Sequence, residues 1–233
     1  MKKSILLKLT GEALLSQDKS HMDPSKILDI ARQIKELQGS VTFGIVIGGG
    51  NIFRGKLQSK QLGISEAVGH QIGMLATQMN GLILKDLFLQ KGIHTSLFCA
   101  VPSPEVGKPI AQQAIDSAIE CGDCLIFSGG TGNPFFSTDT NAILRGLQIK
   151  AYEVWKATNV DGVYTADPKK NQEAKLLKTL TYKEAMNSKL KVMDLTAYAL
   201  AEENGLKTRV FSIFEKDSLL KANNDPSFGT IIE

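Results

Sequence analysis

Short apolar runs alternate with helical segments along the whole of this 233-residue chain. Runs that favour strands occupy residues 4–9, 41–47, 93–101, 124–127, 152–157, 209–214 and 230–232. Between them, apolar residues recur at helical spacing, as in residues 24–37 and in the long stretch 65–90. This alternation is typical of a mainly parallel sheet that is covered by helices on both faces. No linker, repeat or low-complexity stretch interrupts it, so we predict a single domain over residues 1–233.

The composition excludes several classes of protein. The net charge is only +3 and no cluster of Lys and Arg stands out, so a nucleic-acid partner is not indicated. No run of about 18 apolar residues exists, which argues against a membrane span, and Lys8 breaks the first apolar run too early for a signal peptide. The cysteines are odd in number and Cys121 and Cys124 have no second C-x-x-C pair, so neither disulfides nor zinc are favoured. We expect a cytoplasmic protein.

Glycine-rich segments follow four of the predicted strands. They are residues 8–11 (Lys-Leu-Thr-Gly), 48–51 (Gly-Gly-Gly-Asn), 128–133 (Ser-Gly-Gly-Thr-Gly-Asn) and 158–162 (Thr-Asn-Val-Asp-Gly). Glycine lets backbone N–H groups approach an anion closely, and a helix that follows adds a favourable dipole. One such turn is most simply a tight turn, but several at successive strand ends suggest two phosphate-bearing ligands at one edge of the sheet.

Charged residues beside these segments suit phosphoryl transfer, which requires cations on the transferred group and groups that hold donor and acceptor in line. Lys8 is unusual within an apolar strand, and Arg54 closes the segment after residues 48–51. The nearest carboxylates are Asp139, Asp161, Asp167 and Asp194. Each has a plain structural interpretation as well, the first and last as helix N-caps and the middle two as turn formers. The P-loop and the dinucleotide-binding fingerprints are both absent.

Six segments resemble bacterial UMP kinases, which are members of the amino-acid kinase superfamily. They follow the family order and comprise residues 8–14, 46–55, 73–77, 130–139, 156–168 and 190–194. The most specific are Thr-Gly-Asn-Pro-Phe-Phe at residues 131–136 and Lys-Val-Met-Asp at residues 191–194. The resemblance implies an α/β fold, an α/β/α sandwich with a central, mainly parallel sheet of about eight strands. It also implies transfer of the γ-phosphoryl group of ATP to UMP in pyrimidine nucleotide biosynthesis, Mg²⁺ with the ATP, and a homohexamer.

The resemblance also implies a role for individual residues. The residues implied in catalysis are Lys8, Arg54, Asp139 and Asp194, with the two aspartates orienting Lys8 and the metal-bound phosphates. The residues implied in ATP binding are Lys8, Leu9, Thr10, Gly11, Gly50, Arg54, Thr158, Tyr164 and Asp167. The residues implied in UMP binding are Gly49, His70, Thr131, Gly132, Asn133, Pro134, Phe135, Phe136, Ser137 and Thr138. No residue is implied as a protein ligand of a resident metal.

The sequence departs from the family in two places. His70 stands where the family has an aspartate that grips the ribose of UMP, and a neutral imidazole offers one acceptor where a carboxylate offers several. We expect Glu66 or Gln71 to help hold the ribose, and discrimination against dUMP to be weaker. The loop at residues 16–21 lacks the glycines that the family ties to activation by GTP, so we expect that activation to be weak or absent.

Three other functions remain open on sequence grounds. A kinase of the same superfamily could act on a carboxylate or carbamate, although residues 131–139 resemble the nucleotide-specific members. A nucleotide-binding protein without turnover would have no need of Lys8, Arg54, Asp139 and Asp194 together. A plain Rossmann-like domain with several tight turns is the remaining alternative.

Overall fold

A computed structural model describes residues 2–16, 21–166, 171, 173–188, 190 and 192–233. Within these residues the strands are β1 (Lys3–Leu9), β2 (Val41–Ile47), β3 (Thr95–Cys99), β4 (Lys108–Pro109), β5 (Cys124–Ser128), β6 (Glu153–Thr158), β7 (Val163–Tyr164), β8 (Leu176–Leu177), β9 (Thr179–Leu180), β10 (Thr208–Ser212) and β11 (Thr230–Ile232). The helices are α1 (Pro24–Leu37), α2 (Gly55–Leu62), α3 (Glu66–Gln90), α4 (Gln112–Glu120), α5 (Thr138–Gln148), α6 (Tyr182–Asn187), α7 (Leu195–Glu203) and α8 (Ser218–Asn224).

Nine of the strands form one sheet in the order β4-β3-β5-β2-β1-β6-β10-β11-β9. Among these pairs only β10 and β11 are antiparallel. Strands β7 and β8 form a separate antiparallel hairpin. The predicted mainly parallel α/β sheet is therefore confirmed, with two residues in each of the edge strands β4 and β9.

Helices cover both faces of the sheet. Apolar side chains of α1, α3 and α8 pack on one face, where Phe43, Trp155 and Phe211 are fully buried. The other face is covered by α4, α5, α6 and α7, with Phe98 and Phe127 stacked beneath them. Strands that are buried on both faces must be apolar throughout, which explains the nearly continuous apolar runs of the sequence. The three layers agree with the predicted sandwich.

Several predicted helix ends are also found in the structure. Asp23 caps α1 by accepting a hydrogen bond from the backbone N–H of Ser25, with Pro24 at the first helical position. Asp194 caps α7. The prediction that Asp139 is an N-cap was wrong, because Ser137 caps α5 and Asp139 lies in its first turn. This difference releases the carboxylate of Asp139 for other contacts.

In the part of the chain that the structure describes, no helix combines the length and the apolar character that a membrane span requires.

Candidate active site

Two lysines lie side by side at the carboxyl ends of the central strands. Lys8 of β1 and Lys156 of β6 are direct partners in the parallel register. Each follows a buried residue of the α5-side core by two positions, so both side chains point to that face of the sheet. Their side chains are only 12% and 9% exposed, respectively. A pair of ammonium groups this close and this buried requires a nearby counter-charge.

Asp139 supplies that counter-charge. Its Oδ1 lies 3.1 Å from Nζ of Lys8 and 2.5 Å from Nζ of Lys156. Ser137 holds the first turn of α5 in place, because its Oγ accepts hydrogen bonds from the N–H groups of Asp139 and Thr140. The N-terminus of α5 thus brings one carboxylate between two lysines, close to where the dipole of the helix favours an anion.

The contacts within this cluster shift the pKa values of Asp139 and Lys156. Burial raises the pKa of Asp139, but the ammonium groups of Lys8 and Lys156 outweigh burial, so the pKa lies below its ordinary value. Burial, together with the charge of Lys8, lowers the pKa of Lys156 to about 8, against the opposing effect of Asp139. The carboxylate is therefore ionised at neutral pH, whereas the ammonium of Lys156 loses its proton just above neutral pH.

Asp194 ties α7 to the same helix start. Its carboxylate accepts hydrogen bonds from Oγ of Ser137, from Oγ1 of Thr140 at 2.9 Å and from the N–H of Ala197 at 3.0 Å. The carboxylate of Asp194 makes no ion pair with Lys8 among the described contacts. The implied role of Asp194 in orienting Lys8 thus stays a prediction, and its observed contacts fix the N-termini of α5 and α7 relative to each other.

Arg54 reaches back over the loop that follows β2. It forms an ion pair with Glu12, and its Nε donates a hydrogen bond to the carbonyl of Gly50 at 3.4 Å. Its side chain is about half exposed. Arg54 therefore lies between the loop after β1 and the loop after β2, at the rim of the site.

The loop after β1 presents backbone more than side chains. Leu9 is buried, so only its main chain can face a ligand. Thr10 caps a short 3-10 turn (Gly11–Leu14), and its Oγ1 accepts a hydrogen bond from the N–H of Glu12. These backbone groups lie one to three residues beyond Lys8, which suits the predicted contact with phosphates.

An open cavity of about 220 Å³ separates the loop after β2 from α3 and from the segment before α5. Its lining comprises Gly49, Gly50, Phe53, Gly55, Gly69, His70, Gly73, Met74, Thr77, Gly130, Asn133, Phe136, Ser137 and Thr138. Seven of these were predicted for the nucleotide sites. Thr131, Gly132, Pro134 and Phe135 belong to the same segment but do not line the cavity. Gly49 has to be a glycine, since a Cβ there would lie 2.8 Å from the carbonyl oxygen of Gly73.

His70 faces this cavity from the first turns of α3. Its ring lies 5.1 Å from that of Phe135, and its Nε2 lies 3.7 Å from Oε1 of Glu66. Phe135 itself is exposed and adopts φ of 70°, an uncommon conformation for a residue with a side chain. Gln71 is exposed and does not line the cavity. Glu66, one of the two residues predicted to help hold the ribose, therefore contacts His70, and its role at the ribose stays a prediction.

Two of the residues predicted for the adenosine of ATP lie at the end of β6 and in β7. Thr158 ends β6, and Tyr164 of the β7–β8 hairpin donates hydrogen bonds to Asp161 at 2.8 and 2.9 Å. This contact raises the pKa of Tyr164. Asp167 and part of the loop at residues 16–21 fall outside the described residues, so those predictions stay open.

A second cavity, of about 650 Å³, borders the aspartates on the side of α6 and α7. It is mainly apolar and is lined by Asp139, Ala185, Met186, Leu190, Val192, Met193, Asp194, Leu195 and Tyr198. Thr158 and Tyr164 are not among its lining residues.

Comparison with known proteins shows the family. The sequence profile of the amino acid kinase family matches residues 3–212. The chain belongs to the amino acid kinase family.

Relatives within this family are similar over their full length. A uridylate kinase of Mycoplasma genitalium is 43% identical over 235 residues, which cover 100% of this chain and 96% of that protein. A uridylate kinase of Colwellia psychrerythraea is 44% identical over 98% of this chain and 92% of its own length. The crystal structure of UMP kinase from Ureaplasma parvum superposes with a TM-score of 0.94 at 33% identity, covering 100% of this chain and 99% of the other.

Lys156 is a charged residue of the candidate site that the sequence analysis did not predict. It lies near the end of an apolar strand, as Lys8 does, and the same argument from an unexpected lysine would have identified it. Asp139 was expected to orient one lysine, whereas the structure gives it two. The cationic part of the site therefore has one charge more than we predicted.

The described residues offer no group of three His, Cys, Asp or Glu side chains that could hold a metal ion. Asp139 and Asp194 are both occupied by protein donors. A magnesium ion usually keeps several waters and is bound by one or two carboxylates together with substrate phosphates. The Mg²⁺ that the family resemblance implies with ATP therefore stays a prediction.

Proposed function

We propose that this chain is a UMP kinase, which transfers the γ-phosphoryl group of ATP to UMP and forms UDP and ADP in pyrimidine nucleotide biosynthesis. The observation that carries the proposal is the Lys8–Asp139–Lys156 cluster, at the start of the helix that follows the 131–138 segment. Full-length similarity to uridylate kinases supports the choice of UMP as acceptor.

The two nucleotides would meet between the loops after β1 and β2. UMP would occupy the cavity beside Gly49 and His70, under the segment of residues 131–138. The phosphates of ATP would lie along residues 8–11 and Gly50, with adenosine towards Thr158, Tyr164 and Asp167. This arrangement directs the phosphate of UMP and the γ-phosphoryl group towards the lysine pair, where the two must be in line.

The protein's contribution would be positioning and charge. In the transition state of phosphoryl transfer, negative charge spreads over the oxygens of the transferring group. Lys8 and Lys156 would stabilise this charge from the sheet, and Arg54 would do so from the rim after leaving Glu12. Asp139 keeps both ammonium groups aligned without accepting the phosphoryl group itself, so no covalent intermediate is required.

Magnesium would enter as Mg·ATP, as part of the substrate. The ion supplies charge neutralisation on the phosphates. The carboxylate of Asp194 already accepts hydrogen bonds, and that of Asp139 already forms ion pairs with two lysines. We therefore assign neither of them as a direct ligand of the magnesium ion.

The decisive experiment is an assay of ADP release with Mg·ATP and a panel of acceptors. The panel is UMP, dUMP, CMP, N-acetylglutamate and aspartate. Turnover with UMP that greatly exceeds turnover with both amino acids supports the proposal. Turnover with an amino acid alone would indicate a carboxylate kinase. Nucleotide binding without turnover on any acceptor would indicate a binding protein.

The lysine pair predicts a pH dependence. Lys156 carries its charge only below its pKa of about 8, so kcat/KM for Mg·ATP should fall as the pH rises through that value. In Lys156→Arg the guanidinium stays charged, and the fall should move to higher pH. The measurement is kcat/KM between pH 6.5 and 10 at constant ionic strength. A fall that stays near pH 8 in the Arg variant would assign it to another group.

His70 predicts weak discrimination between UMP and dUMP. The His70→Asp variant should raise the ratio of kcat/KM for UMP over dUMP at least tenfold, since a hydrogen bond to a charged group contributes about 1.5–3 kcal/mol. Gln71→Asp places the same charge on the neighbouring exposed position and serves as the control. An unchanged ratio in His70→Asp would mean that residue 70 does not contact the ribose.

We propose that the enzyme assembles as a homohexamer and that one contact uses α3. Five large apolar side chains of this helix are at least 41% exposed, namely Val68, Leu75, Met79, Leu82 and Leu89. Their spacing of three, four or seven residues places them on one stripe, which suits packing against a second copy of the helix. The double variant Leu75→Glu, Met79→Glu should therefore lower the mass found by sedimentation. A wild-type mass in this variant would contradict the role of the stripe.

A cytoplasmic location is part of the same proposal. Its support is that Cys99, Cys121 and Cys124 are all free thiols, which fits a reducing compartment.

A further inference from the structure

Helix α3 carries three buried polar side chains. Thr77, Gln78 and Asn80 are 2%, 4% and 0% exposed, respectively, in the helix that also carries the exposed apolar stripe. Buried polar groups are costly unless their hydrogen bonds are satisfied. The hydrogen-bond partners of these three side chains therefore show which loops α3 holds in place.

Asn80 holds the loop that follows β2. Its Nδ2 donates to the carbonyl of Gly48 at 2.7 Å and to Oδ1 of Asn51 at 2.8 Å. Asn51 returns the bond, with its Nδ2 donating to Oδ1 of Asn80 at 3.0 Å. Both N–H groups and the carbonyl oxygen of the Asn80 amide thus form hydrogen bonds. We call the two bonds between Asn51 and Asn80 the Asn51–Asn80 amide pair. Together with the bond to Gly48, it fixes the two ends of the Gly48–Gly49–Gly50–Asn51 loop.

The same pair touches the loop that follows β1. A Cβ at Gly11 would lie 2.4 Å from Oδ1 of Asn51 and 2.7 Å from the carbonyl oxygen of Gly48. The N–H of Gly48 also donates to the carbonyl of Leu9 at 3.0 Å. Gly11 is consequently a glycine because the loop after β2 packs directly on it. The amide pair therefore lies where the two loops pack against each other.

The neighbouring polar residue of α3 reaches the third glycine-rich segment. Oγ1 of Thr77 accepts a hydrogen bond of 2.7 Å from the N–H of Gly129 and donates one to the carbonyl of Met74. Gln78, in contrast, donates to the carbonyl of Val101, outside the glycine-rich segments. Helix α3 thus contacts the loop after β2 through Asn80 and the glycine-rich segment after β5 through Thr77.

We propose that Asn80 is a positioning residue for phosphoryl transfer, which sets the spacing between the loop after β1 and the loop after β2 through the Asn51–Asn80 amide pair. The inference rests on the proposed function, because the first loop is where ATP phosphates would bind and the second is where UMP would bind. Asn80 acts through Asn51 and Gly48 and touches neither substrate. A misplacement of about 1 Å between reacting groups can lower a rate about 100-fold.

The test compares Asn80→Leu with Gln78→Met in the full chain. Each variant replaces a buried amide of α3 by an apolar side chain of similar shape, so each should lower stability. Only Asn80→Leu should lower kcat with UMP, by about 10- to 100-fold, with KM for UMP and Mg·ATP changed less than threefold. Gln78→Met should keep kcat within threefold of wild type. Equal losses of kcat in both variants, or a wild-type kcat in folded Asn80→Leu, would overturn the proposal.

Asn51→Ala gives the same test from the partly exposed side of the pair and guards against a failure of Asn80→Leu to fold. Its loss of kcat should match that of Asn80→Leu, and the double variant should lose no more than either single one. Additive losses would show that Asn80 does not act through Asn51.

Hydrogen exchange supplies a readout that needs no turnover. Peptides covering residues 9–14 and 48–53 should exchange faster in Asn80→Leu and Asn51→Ala, and at the wild-type rate in Gln78→Met. If the wild type fails to phosphorylate UMP while this pattern is seen, the proposed function fails and the positioning of the loops stands. If the wild type turns over UMP and the pattern is absent, the positioning role of Asn80 is wrong.

Discussion

Replacement of Asp139 by asparagine is expected to lower both the stability and the activity of the protein. The change removes the carboxylate that lies between the ammonium groups of Lys8 and Lys156 and leaves two nearly buried like charges facing each other. Breaking a buried ion pair costs about 3–5 kcal/mol, and because Asp139 is 17% exposed we expect about 3 kcal/mol. We also expect kcat to fall at least 100-fold, because neither lysine keeps its alignment.

The loss of stability should depend on pH. The pKa of Asp139 is lowered in the folded state, so its stabilising effect is present above the ordinary pKa of an aspartate and is lost as the pH falls through the folded pKa. Urea unfolding at pH 7 and in mild acid should show the difference between wild type and Asp139→Asn shrinking towards low pH. Asp116→Asn, at an exposed carboxylate of α4, is the matched control and should change neither property. Equal stability of Asp139→Asn and wild type at pH 7 would contradict this account.

Replacement of Lys8 by methionine is expected to lower kcat by about 100- to 1,000-fold without unfolding the protein. The magnitude is that of removing one preorganised group that stabilises transition-state charge. Lys8→Met should keep or raise the free energy of unfolding, whereas Asp139→Asn lowers it. The charge of Lys8 lowers the pKa of Lys156, so its removal leaves one ammonium paired with one carboxylate and should raise the pKa of Lys156 above 8.

Two measurements separate these effects. Steady-state kinetics gives kcat, and urea unfolding shows whether Lys8→Met is at least as stable as the wild type. Lys3→Met alters a lysine at the other end of the same strand and should leave kcat unchanged. A Lys8→Met variant that retains more than a tenth of the wild-type kcat would exclude Lys8 from the stabilisation of the transferring group.

Elements with a strong burial pattern were predictable from the sequence. Strands β2 and β11 have the bounds that the apolar runs predicted, and each run is buried at both of its ends. Helix α2 was missed for the opposite reason. Its apolar residues Leu57 and Leu62 are 58% and 64% exposed, so it has no core-facing stripe for a periodicity to reveal. The six-residue α6 and the seven-residue α8 are too short for such a stripe.

Site residues were predictable where the local sequence contains a residue type that is unusual for its element. A lysine within an apolar strand indicated Lys8, and the same signal was present at Lys156. The N-cap of α5 could not be chosen from sequence, because Ser137, Thr138 and Asp139 are adjacent and all three can cap a helix. In the structure, Ser137 caps the helix and Asp139 contacts the lysines. The role of Asn80 depends on Asn51, a partner that only the packing of α3 brings near.

The order of the strands has a consequence for how the protein is made. The five strands β4-β3-β5-β2-β1 all come from residues 3–128 and can pair as soon as that part of the chain leaves the ribosome. Strand β1 is made first, yet one of its edges has to wait for β6, which ends at Thr158. An open strand edge during this interval invites pairing with other chains. Lys8 belongs to the first strand to be synthesised and Lys156 to β6, which is synthesised later. The lysine pair can therefore form only when β6 pairs with β1.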